Sequence, residues 1–398
     1  MPFYTGGVNL NDFYFTDQNI VDRYFGMTLY TWGLDNNTGQ LGDNTTVGRS
    51  LPGQTIAGGT NWKQVAGCSS SAPSFGGVSA GIKADGTLWV WGTNAYGALG
   101  DGTVTHRSSP VQTITGGTNW SQVACGNKHC AAIKSDGTLW TWGDNLKGQL
   151  GNGVMKWSAP YPSGDKSSPV QTITGGTNWS QVACGFNRFT AAIKTDGTLW
   201  LWGYNYGNLG DGTAADRSSP VQTISRGTNW KQISCGYNHA AAIKTDGTLW
   251  TWGRNTWGNL GDNTINDKYS PVQTIAGGTD WAQVSCGGYN TAAIKTDGTL
   301  WVWGAGESGQ LGNGTALRNS SPVQTLAGGT NWKQVVSGGG TTAAIKTDGT
   351  LWFWGSNGNG NGAFRDPGTS SPVQTTYSSF IWKQIVFGSA FMAIRSDA

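Results

Sequence analysis

Charge is scarce in this chain. Asp, Glu, Lys and Arg together make up 12% of 398 residues, against roughly 25% in ordinary globular chains, too little to coat long exposed helices. The 25 basic and 22 acidic residues nearly cancel to a formal charge of +3. No Lys/Arg block is present that could track a phosphate backbone, so nucleic acid is not expected as a partner. Long apolar runs are missing too, and the leading stretch MPFYTGGVNLNDFYF lacks a basic start followed by an apolar core. Neither membrane insertion nor a secretory signal is expected. Histidine numbers three, at His106, His129 and His239, and there is no nucleophile elbow, phosphate-cradling G-x-x-x-x-G-K-[ST] loop or CxxC spacing. These absences point to a protein that is not an enzyme and has no cofactor and no bound metal. Six cysteines are too sparse for a disulfide scaffold; Cys125, Cys184, Cys235 and Cys286 share one repeat position and read as small apolar core residues.

What abounds is glycine, 64 residues, and tryptophan, 22. The glycines keep no period of three, which excludes collagen, and so many indoles must be buried, which excludes a disordered chain. Self-comparison gives a unit of about 51 residues, clearest from Asn229 to Thr279. The tryptophan opening W-x-Q-[VI] falls at Trp62, Trp120, Trp179, Trp230, Trp281, Trp332 and Trp382. The tryptophan of W-G falls at Trp32, Trp91, Trp142, Trp202, Trp252, Trp303 and Trp354. The proline of P-V-Q-T falls at Pro110, Pro169, Pro220, Pro271, Pro322 and Pro372, with Pro52 in a diverged seventh copy.

Four short extended runs per unit and no helical periodicity predict an all-β, seven-bladed β-propeller of four-stranded antiparallel blades over residues 27–398. Asp136-Gly137 and Asp246-Gly247 read as two-residue hairpin turns between the second and third strands. In Leu139-Trp140-Thr141-Trp142 both strand faces carry apolar groups, as a sheet stacked between neighbours requires. Proline is expected at the head of each outer strand. The chain stops in a second strand, Ala393-Ile394-Arg395-Ser396-Asp397-Ala398, and the first repeat opens in a third, Thr28-Leu29-Tyr30-Thr31-Trp32-Gly33. One blade is therefore predicted to be split between the two ends, and pairing of its halves closes the ring.

The pattern C-G-x-x-H followed by A-A-I-K-x-D-G-x-L-W-x-W-G-x-N-x-x-G-Q-L-G resembles the regulator of chromosome condensation repeat, over residues 27 to 398. The resemblance implies a seven-bladed propeller of four-stranded blades. It implies no single activity, because that family includes guanine-nucleotide exchange factors, a plant ultraviolet-B photoreceptor and bacterial enzyme inhibitors. An exchange factor or chromatin binder is disfavoured by the missing basic patch. Photoreception is disfavoured because nearly all the tryptophans sit at repeat core positions, Trp157 and Trp257 excepted.

The copies differ from one another at defined places. Second-to-third turns and the G-G-T-N-W connections between blades emerge on one face and vary little. First-to-second and third-to-fourth loops emerge on the other face and diverge, carrying Tyr96, Trp157, Tyr161, Phe186, Arg188, Tyr237, His239, Trp257, Tyr289 and Phe391. These residues are read as a binding surface for a host-surface protein or glycan; the alternative is drift in unconstrained loops. In the L-G-[DN]-[GN]-T loops, Asp43, Asp101, Asp211 and Asp262 could offer oxygens to calcium, but Asn152 and Asn313 replace them elsewhere, which suits a turn role.

The non-repeat segment 1–26 leads into the split blade from the uniform face and carries Phe3, Tyr4, Phe13, Tyr14, Phe15, Tyr24 and Phe25. It is either a strap on its own propeller or a docking peptide ordered by a protein partner in an assembly. Phage structural proteins with these repeats behind a short aromatic segment look similar. The functional expectation is thus a virion tail, baseplate or receptor-binding component, made in the host cytoplasm. A soluble protein-binding or inhibitor propeller is the alternative.

Overall fold

The structure, a computed structural model, describes residues 26–68, 77–155, 164–357, 368–376, 380–388 and 390–396. These residues form 28 strands in seven four-stranded antiparallel sheets, without a helix. A representative blade runs Trp230–Cys235, His239–Lys244, Leu249–Gly253 and Lys268–Gln273. First strands of successive blades touch one another all the way round, so the first strand of each sheet is innermost and the ring is closed. The last blade joins Met27–Gly33 and Arg49–Gln54 to Ile381–Phe387 and Phe391–Ser396. Its seam pairs Met27 with Ser396 through to Trp32 with Phe391. The chain is a seven-bladed β-propeller with one split blade, as its landmarks require.

The core lies between sheets. Second strands such as His239–Lys244 are buried up to the terminal lysine, because alanine there lets the next sheet stack closely. Ala241, Ile243 and Leu249 of one blade meet Trp281, Val284, Cys286 and Trp303 of the next. Trp281 and Trp303 stand edge to face, 6.3 Å apart. The Trp303 indole also donates to the backbone oxygen of Asn259 in the preceding blade, at 2.9 Å, so a ring buried for its area also finds a polar partner. The six cysteines are free thiols, all buried.

The recurring glutamine of W-x-Q-[VI] ties the innermost strands together. Gln122 Oε1 accepts the backbone N–H of Val182 at 2.8 Å, Gln181 that of Ile233 at 2.9 Å, and Gln232 that of Val284 at 3.1 Å. Gln283, Gln334 and Gln64 do the same to Val335, Ile385 and Val123. Gln384 completes the circuit on Val65. Each inner strand would otherwise present unpaired N–H groups along the axis, a costly state for buried backbone.

Two local expectations are corrected. The hairpin at Asp136-Gly137 has three loop residues, Ser135, Asp136 and Gly137: Gly137 N donates to Lys134 O, and Lys134 N to Thr138 O. Only the glycine takes a positive φ, 77°, which is a type I turn closed by a left-handed bulge residue rather than a mirror-image two-residue turn. Proline also sits inside the outer strand rather than at its head. Pro110 is the fourth residue of Arg107–Gln112, tolerated because a bulge opposite Trp91 interrupts the ladder between Val90 and Gly92.

Candidate recognition surface

The two faces of the ring differ as the internal comparison predicts. On one face the Asp-Gly hairpins meet the connections between blades, with Trp179 N donating to Gly137 O at 3.0 Å. There Asp136 accepts from the N and Oγ1 of Thr138, whose hydroxyl accepts the Trp140 indole N–H. Those bonds hold the Asp136 carboxyl below its usual range. Lys134 lies between the rings of Trp120 and Trp140, 4.9 and 4.7 Å from their centroids. The arrangement recurs in six blades; in the split blade Arg395 lies between Tyr30 and Phe380. Met27 enters on this face, bridged to Asn61.

The opposite face gathers the divergent loops, through bonds such as Tyr204 N to Arg188 O and Arg254 N to Asn238 O. Several residues expected to reach a partner do not. His239 and Phe391 open the second strands of their blades and point between sheets, 1% and 0% exposed. Phe391 stacks on Trp32 at 5.6 Å, and His239 Nε2 pairs with Thr291 Oγ1 of the next blade at 3.0 Å. His129 makes the same bond to Thr190. Burial lowers the His129 pKa to about 4 and that of His239 to about 3. Phe186, 9% exposed, belongs to the core. His106 Nδ1 accepts the Asn94 N–H, the place taken elsewhere by Asp165, Asp216 and Asp267. The loop carboxylates are turn elements: Asp101 accepts from Thr103 and pairs with Arg107 at 2.8 Å. Asp43, Asp211 and Asp262 pair likewise with Arg49, Arg217 and Lys268. Trp157, Tyr161 and the whole aromatic set of 1–26, Phe3, Tyr4, Phe13, Tyr14, Phe15, Tyr24 and Phe25, lie outside the described residues.

What remains is a sector of rings crossing three successive blades. Tyr204 and Tyr206 meet edge to face at 4.8 Å. Tyr237 and Tyr289 are 5.5 Å apart, and Tyr289 and Trp257 6.0 Å. Burial raises the Tyr204 phenol, with Tyr206 and then Asp216 and Tyr237 adding to it; Tyr289 is raised by burial and by Tyr237, with Arg254 opposing. An open depression of about 500 Å³ beside them is lined by Met155, Tyr204, Asn205, Tyr206, Ala214, Ala215 and Asp216. Lys147 rests over Tyr204 at 4.7 Å and pairs with Asp216 at 3.0 Å. Arg188, at φ 57°, reaches Asp144 of the neighbouring blade at 2.7 Å. Further round, Lys128 sits 4.6 Å over the ring of Tyr96.

Sequence reasoning missed Tyr204, Tyr206, Lys147, Asp216 and Arg254. The signal was a length difference: Gly203-Tyr204-Asn205-Tyr206-Gly207 is one residue shorter than Gly253-Arg254-Asn255-Thr256-Trp257-Gly258. Among the described residues no cluster of three His, Cys, Asp or Glu side chains could hold a metal ion, and no helix is long and apolar enough to cross a membrane.

Comparison with known proteins places this geometry. The RCC1-like domain family matches residues 27–328, and the regulator of chromosome condensation (RCC1) repeat matches 332–361. The ultraviolet-B receptor UVR8 of Arabidopsis thaliana is 31% identical over 341 residues, covering 84% of this chain and 74% of that one. A probable E3 ubiquitin-protein ligase, HERC3 of Homo sapiens, is 33% identical over 209 residues, 51% of this chain but 19% of its own length. Among solved structures, human WBSCR16 superposes with a TM-score of 0.79 at 20% identity, covering 93% of this chain and all of that one. Prp20p from Saccharomyces cerevisiae superposes with 0.78 at 18%, covering 94% and 92%.

Proposed function

The chain belongs to the RCC1-like domain family, and from that premise we propose that it is a non-enzymatic recognition module binding a protein partner through the aromatic sector of its variable face. The observation that carries this is an asymmetry. Rings and charged side chains concentrate on loops of three neighbouring blades, whereas the corresponding loop of the next blade, Gly338-Gly339-Gly340, is built of glycine. Half-exposed tyrosine and tryptophan offer large, stiff contact areas, which is the composition of interface hot spots. Prp20p, of the same fold, is described with binding to Gsp1p and histones, which supports a protein as partner.

Cross-linking of the full chain to its partner, followed by mass spectrometry, tests this. Links should map to loops carrying Tyr206, Tyr237, Trp257 and Tyr289, and Tyr237→Ala with Trp257→Ala should weaken binding by more than about 2 kcal/mol. A folded double mutant that binds unchanged removes the assignment.

The finer reading is a phage virion component, with residues 1–26 as a segment outside the propeller that docks into the particle. It is supported by the aromatic content of that segment and by the attachment of Met27 on the face opposite the sector. Deletion of 1–26 should leave the propeller folded and prevent its incorporation. A large fall in melting temperature would make the segment a strap, and failure of the protein to band with DNA-containing particles on a density gradient would remove the virion.

A further inference from the structure

The aromatic sector is unevenly supplied with hydrogen-bond donors and acceptors, and the following rests on its being the recognition surface. Most of its carboxylates are engaged within the protein, although exposed Asp267 is held through one oxygen only, Oδ1, by Asn255 N at 2.7 Å. Asp216 gives Oδ1 to Asn205 N at 2.9 Å and Oδ2 to Lys147 at 3.0 Å. Asp144 gives Oδ1 to Leu146 N at 3.1 Å and Oδ2 to Arg188 at 2.7 Å. The Asn187 and Asn238 amides bond each other at 2.8 Å. Donors remain: the Trp257 indole, the phenols of Tyr237 and Tyr289, and the exposed guanidinium of Arg254. Arg254 bonds only Thr256 Oγ1, at 3.1 Å, and joins no ion pair among the described residues.

A ligand matched to this sector brings acceptors, few donors, flat apolar surface and one negative charge. Sugar hydroxyls and ordinary peptide N–H groups each need an acceptor, of which the sector offers few beyond Asp267 and the phenol oxygens. A polyproline II helix presents solvated carbonyls, loses its N–H at every proline and carries pyrrolidine rings that rest on aromatic ridges. Its turn is about 9 Å long, and neighbouring rings of the sector, Tyr237 and Tyr289 and then Tyr289 and Trp257, stand 5.5 and 6.0 Å apart. We propose that the Tyr206, Tyr237, Tyr289 and Trp257 rings form a docking strip for a proline-rich segment of a partner protein, with an acidic side chain of that segment set against Arg254.

Fluorescence anisotropy with the full chain tests this, using labelled synthetic peptides. One is proline-rich with glutamate, a second has lysine for the glutamate, and a third has alanine for the prolines; a glycan array is run in parallel. The first peptide should bind in the micromolar range and the other two at least tenfold more weakly. Trp257→Ala and Tyr289→Ala should each cost at least tenfold with unchanged melting temperature, and Arg254→Glu should reverse the preference between glutamate and lysine. Binding by no peptide, equal binding by all three, or binding only on the glycan array overturns the proposal. If peptides fail while Trp257→Ala still abolishes cross-linking to a purified partner, the recognition surface stands and the polyproline occupant falls. Unchanged cross-linking in that variant removes the surface itself.

Discussion

Gln384 Oε1 accepts the backbone N–H of Val65 at 3.2 Å, 319 residues away in sequence. It is the link of the inner glutamine circuit that joins the split blade to the first unbroken one. Gln384→Ala leaves a buried N–H without a partner, a loss of about 1–3 kcal/mol, read as a lower urea midpoint. Gln232→Ala, on an unbroken pair of blades, provides the comparison. If neither variant moves the midpoint, the glutamines are ornaments on a ring held by indole packing alone.

Phe391 and Trp257 separate core from surface. Phe391→Ala removes a ring stacked on Trp32 and touching Phe353 at 4.7 Å, and should cost about 3–5 kcal/mol of stability. Trp257→Ala should change the melting temperature little and partner affinity much. Equal losses of stability in the two would place Trp257 in the core as well.

Acid should weaken the fold through its two buried imidazoles. His129 and His239 hold folded pKa values of about 4 and 3, while an unfolded chain titrates near 6.5. Between those values the unfolded state binds more protons, so stability is complete above pH ~6.5 and falls as the pH drops towards 4. Each tenfold difference in proton affinity between the folded and unfolded chain is worth about 1.4 kcal/mol, so the pair accounts for a loss of a few kcal/mol by pH ~4.5. His129→Gln with His239→Gln should flatten the dependence of the urea midpoint between pH 7 and 4.5. An unaltered slope would assign the acid sensitivity elsewhere.

Arg226 stands where other connections carry Gly58, Gly116, Gly175, Gly277 and Gly328. It keeps their left-handed conformation, at φ 42°, and the indole N–H of Trp230 makes no hydrogen bond, whereas Trp179 bonds Gly175 O at 3.1 Å. Arg226→Gly should gain about 1 kcal/mol by relieving backbone strain, raising Tm by about 2 °C. A neutral or harmful result would give Arg226 a role beyond the turn.

Most of the fold was legible because each blade repeats the same punctuation. The W-G and W-x-Q tryptophans counted the blades, and Ile394 and Leu29, one in a second strand and one in a third, announced the split sheet. The glutamine circuit was visible as a constant letter, but the N–H that each glutamine accepts lies one blade, about 51 residues, further on, beyond any local pattern. The site was less legible because a loop's last residue and a strand's first differ by one position and by half a turn of side-chain direction. His239 and Phe391, the first residues of their strands, turn inward, while Tyr289, one residue before its strand, and Tyr237, two before, stay outward. Tyr204 and Tyr206 were hidden in a deletion rather than displayed in an insertion.

The mid-strand prolines carry a consequence for how molecules of this protein meet one another. Around the circumference each sheet ends in a strand whose outer side pairs with no other strand among the described residues, and with charge at 12% of the residues little repulsion guards those flanks. Pro110, Pro169, Pro220, Pro271, Pro322 and Pro372 each delete an amide and kink the strand in its middle. A second molecule therefore finds no continuous ladder to extend, and the rim resists the side-by-side zippering that nucleates fibrils in other strand-rich chains.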